Sequence, residues 1–170
     1  MDTGKTYQAS LDRNAKWDIT HGIYTILFFA LLMSSLAFRS WGYLGLGIYF
    51  LILLIGVLVY LTYRVKEYVL YSDKLIIKRF ISRFDKEFLL SDIQSAERFK
   101  ADDFKTSKRM NSISRHRYYG DYYNPVFGYY KIYATNLNNL IMLDIKNSKH
   151  IVISPDDIGL LEGLQPKSIE

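Results

Sequence analysis

The chain has 170 residues, 22 Lys and Arg against 17 Asp and Glu, and no cysteine. That length gives room for about one domain, and the lack of thiols excludes disulfide frameworks, thiolate zinc sites, iron–sulfur clusters and a cysteine nucleophile. Residues 19–63 carry a single charged side chain, Arg39, which excludes an ordinary water-soluble globule, while the Ile, Leu, Val, Tyr and Phe of the charged remainder exclude intrinsic disorder.

In chain order, residues 1–18 read as a cytoplasmic tail. Residues 19–38 and 41–63 then read as two transmembrane helices of one tight hairpin, each long enough for a hydrocarbon core of roughly 30 Å at about 1.5 Å per residue. Trp17 and Tyr24, Trp41 and Tyr43, and Tyr60 and Tyr63 stand where interfacial aromatic belts are expected. Lys5, Arg13 and Lys16 flank the first span; Arg64, Lys66, Lys74, Lys78 and Arg79 follow the second; the connection holds only Arg39. Both termini are therefore expected on the cytoplasmic side of the membrane. The net charge of +5 is assigned to this topology and to anionic headgroups, and no nucleic-acid partner is expected.

After residue 63 the hydrophobic period changes from helical to two. Residues 65–71 and 75–80 read as a β-hairpin turning at Ser72-Asp73-Lys74, and 85–90 as a third strand. Ser91 is placed to cap a short helical turn before a strand at 96–100. Further β segments are expected at 126–135, 140–145 and 150–154. Ser154, Pro155, Asp156 and Asp157 carry the composition of a helix start, and Ile158, Leu161 and Leu164 form one apolar stripe, so a short amphipathic helix is expected over 155–164. The fold class is α+β: a two-helix hairpin, then an antiparallel β-roll or partial barrel closed by a C-terminal helix.

The segments Tyr71-Ser72-Asp73-Lys74-Leu75-Ile76-Ile77 and Leu90-Ser91-Asp92-Ile93, the run from Gly120 to Gly128, Tyr133-Ala134-Thr135, and Ile151-Val152-Ile153-Ser154-Pro155-Asp156-Asp157 resemble the bacterial pleckstrin-homology-like (PH-like) membrane proteins. The resemblance implies a PH-like domain over 64–165, a short tail at 166–170, and no enzymatic activity. Where relatives are glycine-rich ahead of Gly120, this chain has Met110-Asn111-Ser112-Ile113-Ser114-Arg115-His116-Arg117.

Residues 98–117 hold seven basic side chains against Asp102 and Asp103, and read as a long polar loop. Lys108, Arg109, Arg115 and Arg117 are its candidate contacts to an anionic lipid headgroup or an acidic partner; a solvated loop is the plainer use of the same charges. Residues 118–130 hold seven aromatics, of which Tyr118, Tyr119, Tyr122 and Tyr123 are the candidate interaction surface, with packing over a sheet as the structural use. No catalytic constellation is legible: Ser114, His116 and Asp121 lack any nucleophile-elbow context, and no metal-ligand spacing, phosphate loop or other cofactor fingerprint occurs. The expected function is a membrane-anchored, non-catalytic binding module; the alternative is a structural or accessory subunit of a larger membrane complex, whose partner is another membrane protein.

Overall fold

The computed structural model describes residues 3–62, 64–111, 118–146 and 150–165. The first element is β1, Lys5–Gln8, inside the segment read as a tail. Helix α1, Arg13–Thr62, follows, and then the strands β2 (Val65–Leu70), β3 (Lys74–Arg79), β4 (Lys86–Leu89) and β5 (Ile93–Phe99). Next come the short helix α2 (Ala101–Lys105), β6 (Lys108–Asn111), β7 (Tyr119–Asn124), β8 (Gly128–Tyr133), β9 (Leu140–Ile145) and β10 (His150–Ile153), and the closing helix α3 (Leu160–Leu164).

Helix α1 reverses direction. Gln8 pairs with Glu67 across the β1–β2 ladder, so the two ends of α1 lie side by side, whereas a straight helix of its 50 residues would separate them by about 75 Å. The reversal falls at Gly42, whose φ of 59° and ψ of −141° suit a residue without Cβ. The expected hairpin is present, and it is inserted in the connection between two paired strands. Its arms contain two stretches long and apolar enough to cross a membrane, Arg13–Leu36 and Trp41–Leu58, whose side chains the rest of the protein leaves almost uncovered.

The strands form a four-stranded sheet in the order β1-β2-β3-β4 and a six-stranded sheet in the order β5-β9-β10-β8-β7-β6. Pairing is antiparallel except between β10 and β8, which run parallel, a departure from the antiparallel sheet expected. The cause is the path of the chain: β9 lies outside β10, so the β9–β10 hairpin returns β10 into the gap beside β8.

Alternation along the strands explains why the central runs are apolar throughout. Ile141, Leu143, Ile145, Ile151 and Ile153 face a core shared with Tyr7, Tyr68, Leu75 and Ile77 of the four-stranded sheet and with Leu160 and Leu164 of α3. Their neighbours Leu140, Met142 and Val152 face a second core with Phe99, Phe104, Tyr118, Tyr122, Tyr130 and Ile132, to which Leu11, just ahead of α1, and Ala15 in its first turn are added. The six-stranded sheet is thus covered on both faces, and the first turn of the hairpin is part of the cover.

Two expectations are corrected. The terminal helix begins at Leu160 rather than 155, and Ser154 does not cap it: the fully buried Ser154 Oγ accepts the Thr135 N–H at 2.8 Å and the Asn136 N–H at 3.3 Å, so it serves the end of β8. The basic segment is not one long loop, because β5, α2 and β6 occupy most of it.

Candidate functional site

The strand directions collect several connections at the end of the domain that carries the hairpin. β1 and β8 run towards it, β10 runs parallel to β8, and β2 starts from it. Ser10 is fastened to Asp156: its N–H reaches both carboxylate oxygens at 3.0 and 3.1 Å, its hydroxyl donates to Oδ1 at 2.7 Å, and the Asp156 N–H donates to the Gln8 carbonyl at 2.9 Å. Asn136 adds a bond from Nδ2 to the Ser10 carbonyl at 3.1 Å. Asp12 caps α1 by accepting the Ala15 N–H at 2.6 Å, while its own N–H donates to the Thr135 carbonyl at 3.3 Å. The entry to the hairpin is therefore tied to the turns after β8 and β10, through Asp156 of the Ser-Pro-Asp-Asp element and through Thr135.

Deeper in, Tyr68 of β2 crosses the interior between the sheets. Its hydroxyl donates to the Tyr133 carbonyl at 2.7 Å and accepts the Ser154 N–H at 3.1 Å, and burial pushes its pKa up to about 12. Arg79, also buried, lies 5.2 Å from the Tyr119 ring and 5.4 Å from the Tyr133 ring, and its N–H donates to Asp85 Oδ1 at 2.8 Å. Sequence reasoning counted Arg79 only as a topogenic charge; its pairing with tyrosines forty and more residues away leaves no local signal.

The candidate basic residues fall in two groups. Lys108 and Arg109 lie on β6, the edge of the six-stranded sheet, opposite Tyr123 and Tyr122. Both are exposed; an Arg109 Nη donates to the Tyr119 carbonyl at 3.0 Å, and its guanidinium stands 6.0 Å from the Tyr122 ring. Cationic side chains on an edge strand also discourage pairing with another chain. Arg115 and Arg117 lie outside the described residues.

The four candidate tyrosines separate by burial. Tyr118 and Tyr122 belong to the second core: Tyr122 stacks on Tyr130 at 5.8 Å, and the Tyr118 hydroxyl donates to Asp12 Oδ2 at 3.0 Å. Tyr119 is half-buried against Arg79 and Tyr133. Tyr123 is exposed, paired across the ladder with the exposed Tyr129 at 4.9 Å between rings. The stretch is thus mainly packing, with Tyr123 and Tyr129 on the outside. Among the described residues no group of three or more His, Asp or Glu side chains is arranged to hold a metal ion.

Two packed sheets closed by a C-terminal helix define a PH-like β-domain. The chain matches the family described as Bacterial PH domain over residues 66–166, and it belongs to that family. No curated protein matches it, and neither does any solved structure.

Proposed function

We propose that this protein is a non-catalytic binding module held at the cytoplasmic face of a bacterial inner membrane by its helical hairpin. One observation carries the reading: the two apolar helices are inserted between the paired strands β1 and β2, so that both feet of the hairpin are built into the domain. A hairpin fixed at both ends holds the orientation of the domain against the bilayer as well as its distance. The N-terminus, through β1, then lies on the same side as the domain, in agreement with the Lys and Arg flanks.

The anionic group recognised is assigned in this reading to the β6–β7 edge: Lys108 and Arg109 stand at the start of β6, at the end of the strand away from the hairpin, and β6 runs towards the hairpin end with Arg115 and Arg117 following in sequence. Near a membrane surface each such charge contributes about 1 kcal/mol of attraction to anionic lipid. The full chain, purified in neutral-lipid nanodiscs doped with phosphatidylglycerol, should retain the anionic lipid several-fold above its bulk fraction. The variant with Lys108, Arg109, Arg115 and Arg117 all replaced by Gln should lose that enrichment. An acidic protein co-purifying from native membrane and lost in the same variant would identify the other anionic source; enrichment unchanged in the variant would remove the assignment.

A further inference from the structure

Directly after β3 the chain enters the β3–β4 connection, residues 80–85. The pairing of Val65 with Arg79, and the hydrogen bond from the Phe80 N–H to the Arg64 carbonyl at 3.3 Å, set this connection level with Arg64, two residues beyond the last residue of α1. At about 3.3 Å per residue, that is within roughly 7 Å of the second foot of the hairpin. Phe80 also joins Gln8, Ala9 and Ser10, from the first foot, and Arg64, Val65 and Lys66 in lining one open groove.

Two aromatic rings are left in solvent here, Phe80 at 60% exposure and Phe84 at 43%. The connection is ordered rather than slack. A single 3-10 turn, Ser82–Phe84, is closed by the Phe84 N–H to the Ile81 carbonyl and the Asp85 N–H to the Ser82 carbonyl, both at 3.0 Å. Its one acid, Asp85, is engaged with the Arg79 N–H, while Arg64, Lys66, Arg83 and Lys86 around it are exposed cations. Aromatic rings beside cations at the level where apolar helices begin match the chemistry of a headgroup interface.

We propose that residues 80–85 form a second contact of the domain with the bilayer, in which Phe80 and Phe84 enter the headgroup–acyl boundary and Arg64 and Arg83 meet lipid phosphate. The inference rests on the reading of α1 as a membrane-spanning hairpin. It adds a third fixed point to the two feet, and so determines which edge of the domain is pressed to the membrane.

Because the chain has no cysteine, nitroxide labels can be placed singly on the full protein in phosphatidylglycerol-containing liposomes. The sites are F80C and F84C, with L51C inside the second apolar stretch and V126C on the β7–β8 turn as references. Comparing oxygen with nickel-chelate access, the labels at 80 and 84 should read about 5–10 Å into the interface, shallower than 51, while 126 reads as aqueous. Aqueous readings at 80 and 84 with a deep reading at 51 would overturn the second contact and leave the hairpin reading standing. An aqueous reading at 51 would overturn the hairpin reading, and the second contact with it. Labels at 80 and 84 shielded from both agents would show a protein surface in place of lipid, and overturn it as well. With Arg64 and Arg83 both changed to Gln, the label at 84 should move towards water while 51 stays deep; no movement would overturn the role given to the arginines.

Discussion

Asp12 and Tyr118 stand 106 residues apart in the chain and are joined by a 3.0 Å hydrogen bond from the phenol to Oδ2. The other carboxylate oxygen of Asp12 caps α1 through the Ala15 N–H. One side chain thus begins the hairpin and fastens it to the residue that leads into β7 of the six-stranded sheet. Asp12→Ala should destabilise the full chain in detergent by about 1–2 kcal/mol, the usual range for a lost cap. Asp12→Asn, which keeps an acceptor for Ala15, should cost less. Tyr118→Phe should cost about 1 kcal/mol, and combined with Asp12→Ala it should add less than its own value, since both remove the same bond. Fully additive losses would show that the two side chains are not coupled.

Strand β1 makes a prediction about where the domain can be cut. Tyr7 is buried and lies opposite Tyr68, and β1 covers what would otherwise be the free edge of β2. A chain beginning at Arg64 should therefore melt without cooperativity or several kcal/mol less stably. A chain in which a short Gly-Ser linker replaces residues 13–63, keeping β1, should fold and melt cooperatively. Equal melts of the two would show that β1 contributes nothing to the sheet.

The buried tyrosines set an alkaline limit. Tyr68, Tyr130 and Tyr133 each have a pKa pushed up to about 12 by burial, against about 10 when unfolded. Between those values the unfolded phenols have lost their protons and the folded ones have kept them, so stability should fall as pH rises from about 10 to about 12 and be unaffected by these groups below 10. Two units correspond to about 3 kcal/mol for a single phenol. Tyr68→Phe should lower stability at neutral pH, because the Tyr133 carbonyl and the Ser154 N–H lose a buried partner, and should also make the fall above pH 10 shallower. Melting temperatures recorded from pH 7 to 12 for the parent and Tyr68→Phe decide this; parallel curves would contradict it.

Helix α3 is short but closes the first core. Leu160 is fully buried and Leu164 nearly so, whereas Leu161 is only partly covered. Leu160→Ala should cost about 2–5 kcal/mol and Leu161→Ala distinctly less. Similar losses at both positions in denaturant titrations would mean that the helix presents a different face.

What could be read from the residues follows from which interactions are local. The β2–β3 hairpin was legible because alternating apolar residues flank a Ser-Asp turn, and the hairpin helices because charge is absent over whole spans. β1 was not, since Lys5-Thr6-Tyr7-Gln8 has no pattern of its own and finds its partner only across the hairpin. β6 is polar because it is an edge, so Lys108 and Arg109 looked like loop residues. Tyr118 and Tyr122 could not be told from surface aromatics, because what buries them is Phe104, Tyr130 and the first turn of α1. Ser154 has the residue type and position of a helix cap, yet its hydroxyl is taken by the backbone after β8. Phe80 reads as the last apolar residue of a strand, and Phe84 falls between two expected strands with no pattern of its own; their position beside the hairpin feet required the register of β2 with β3.

Single-cysteine labelling in bacterial spheroplasts shows whether the hairpin inserted between β1 and β2 crosses a membrane and leaves the whole β-domain on one side, as proposed. Tyr43→Cys lies next to the reversal at Gly42, and Val126→Cys on the exposed β7–β8 turn. A membrane-impermeant maleimide should label position 43 in intact spheroplasts and position 126 only after the membrane is opened. Labelling of 126 in intact spheroplasts, or protection of 43 until the membrane is opened, would contradict it.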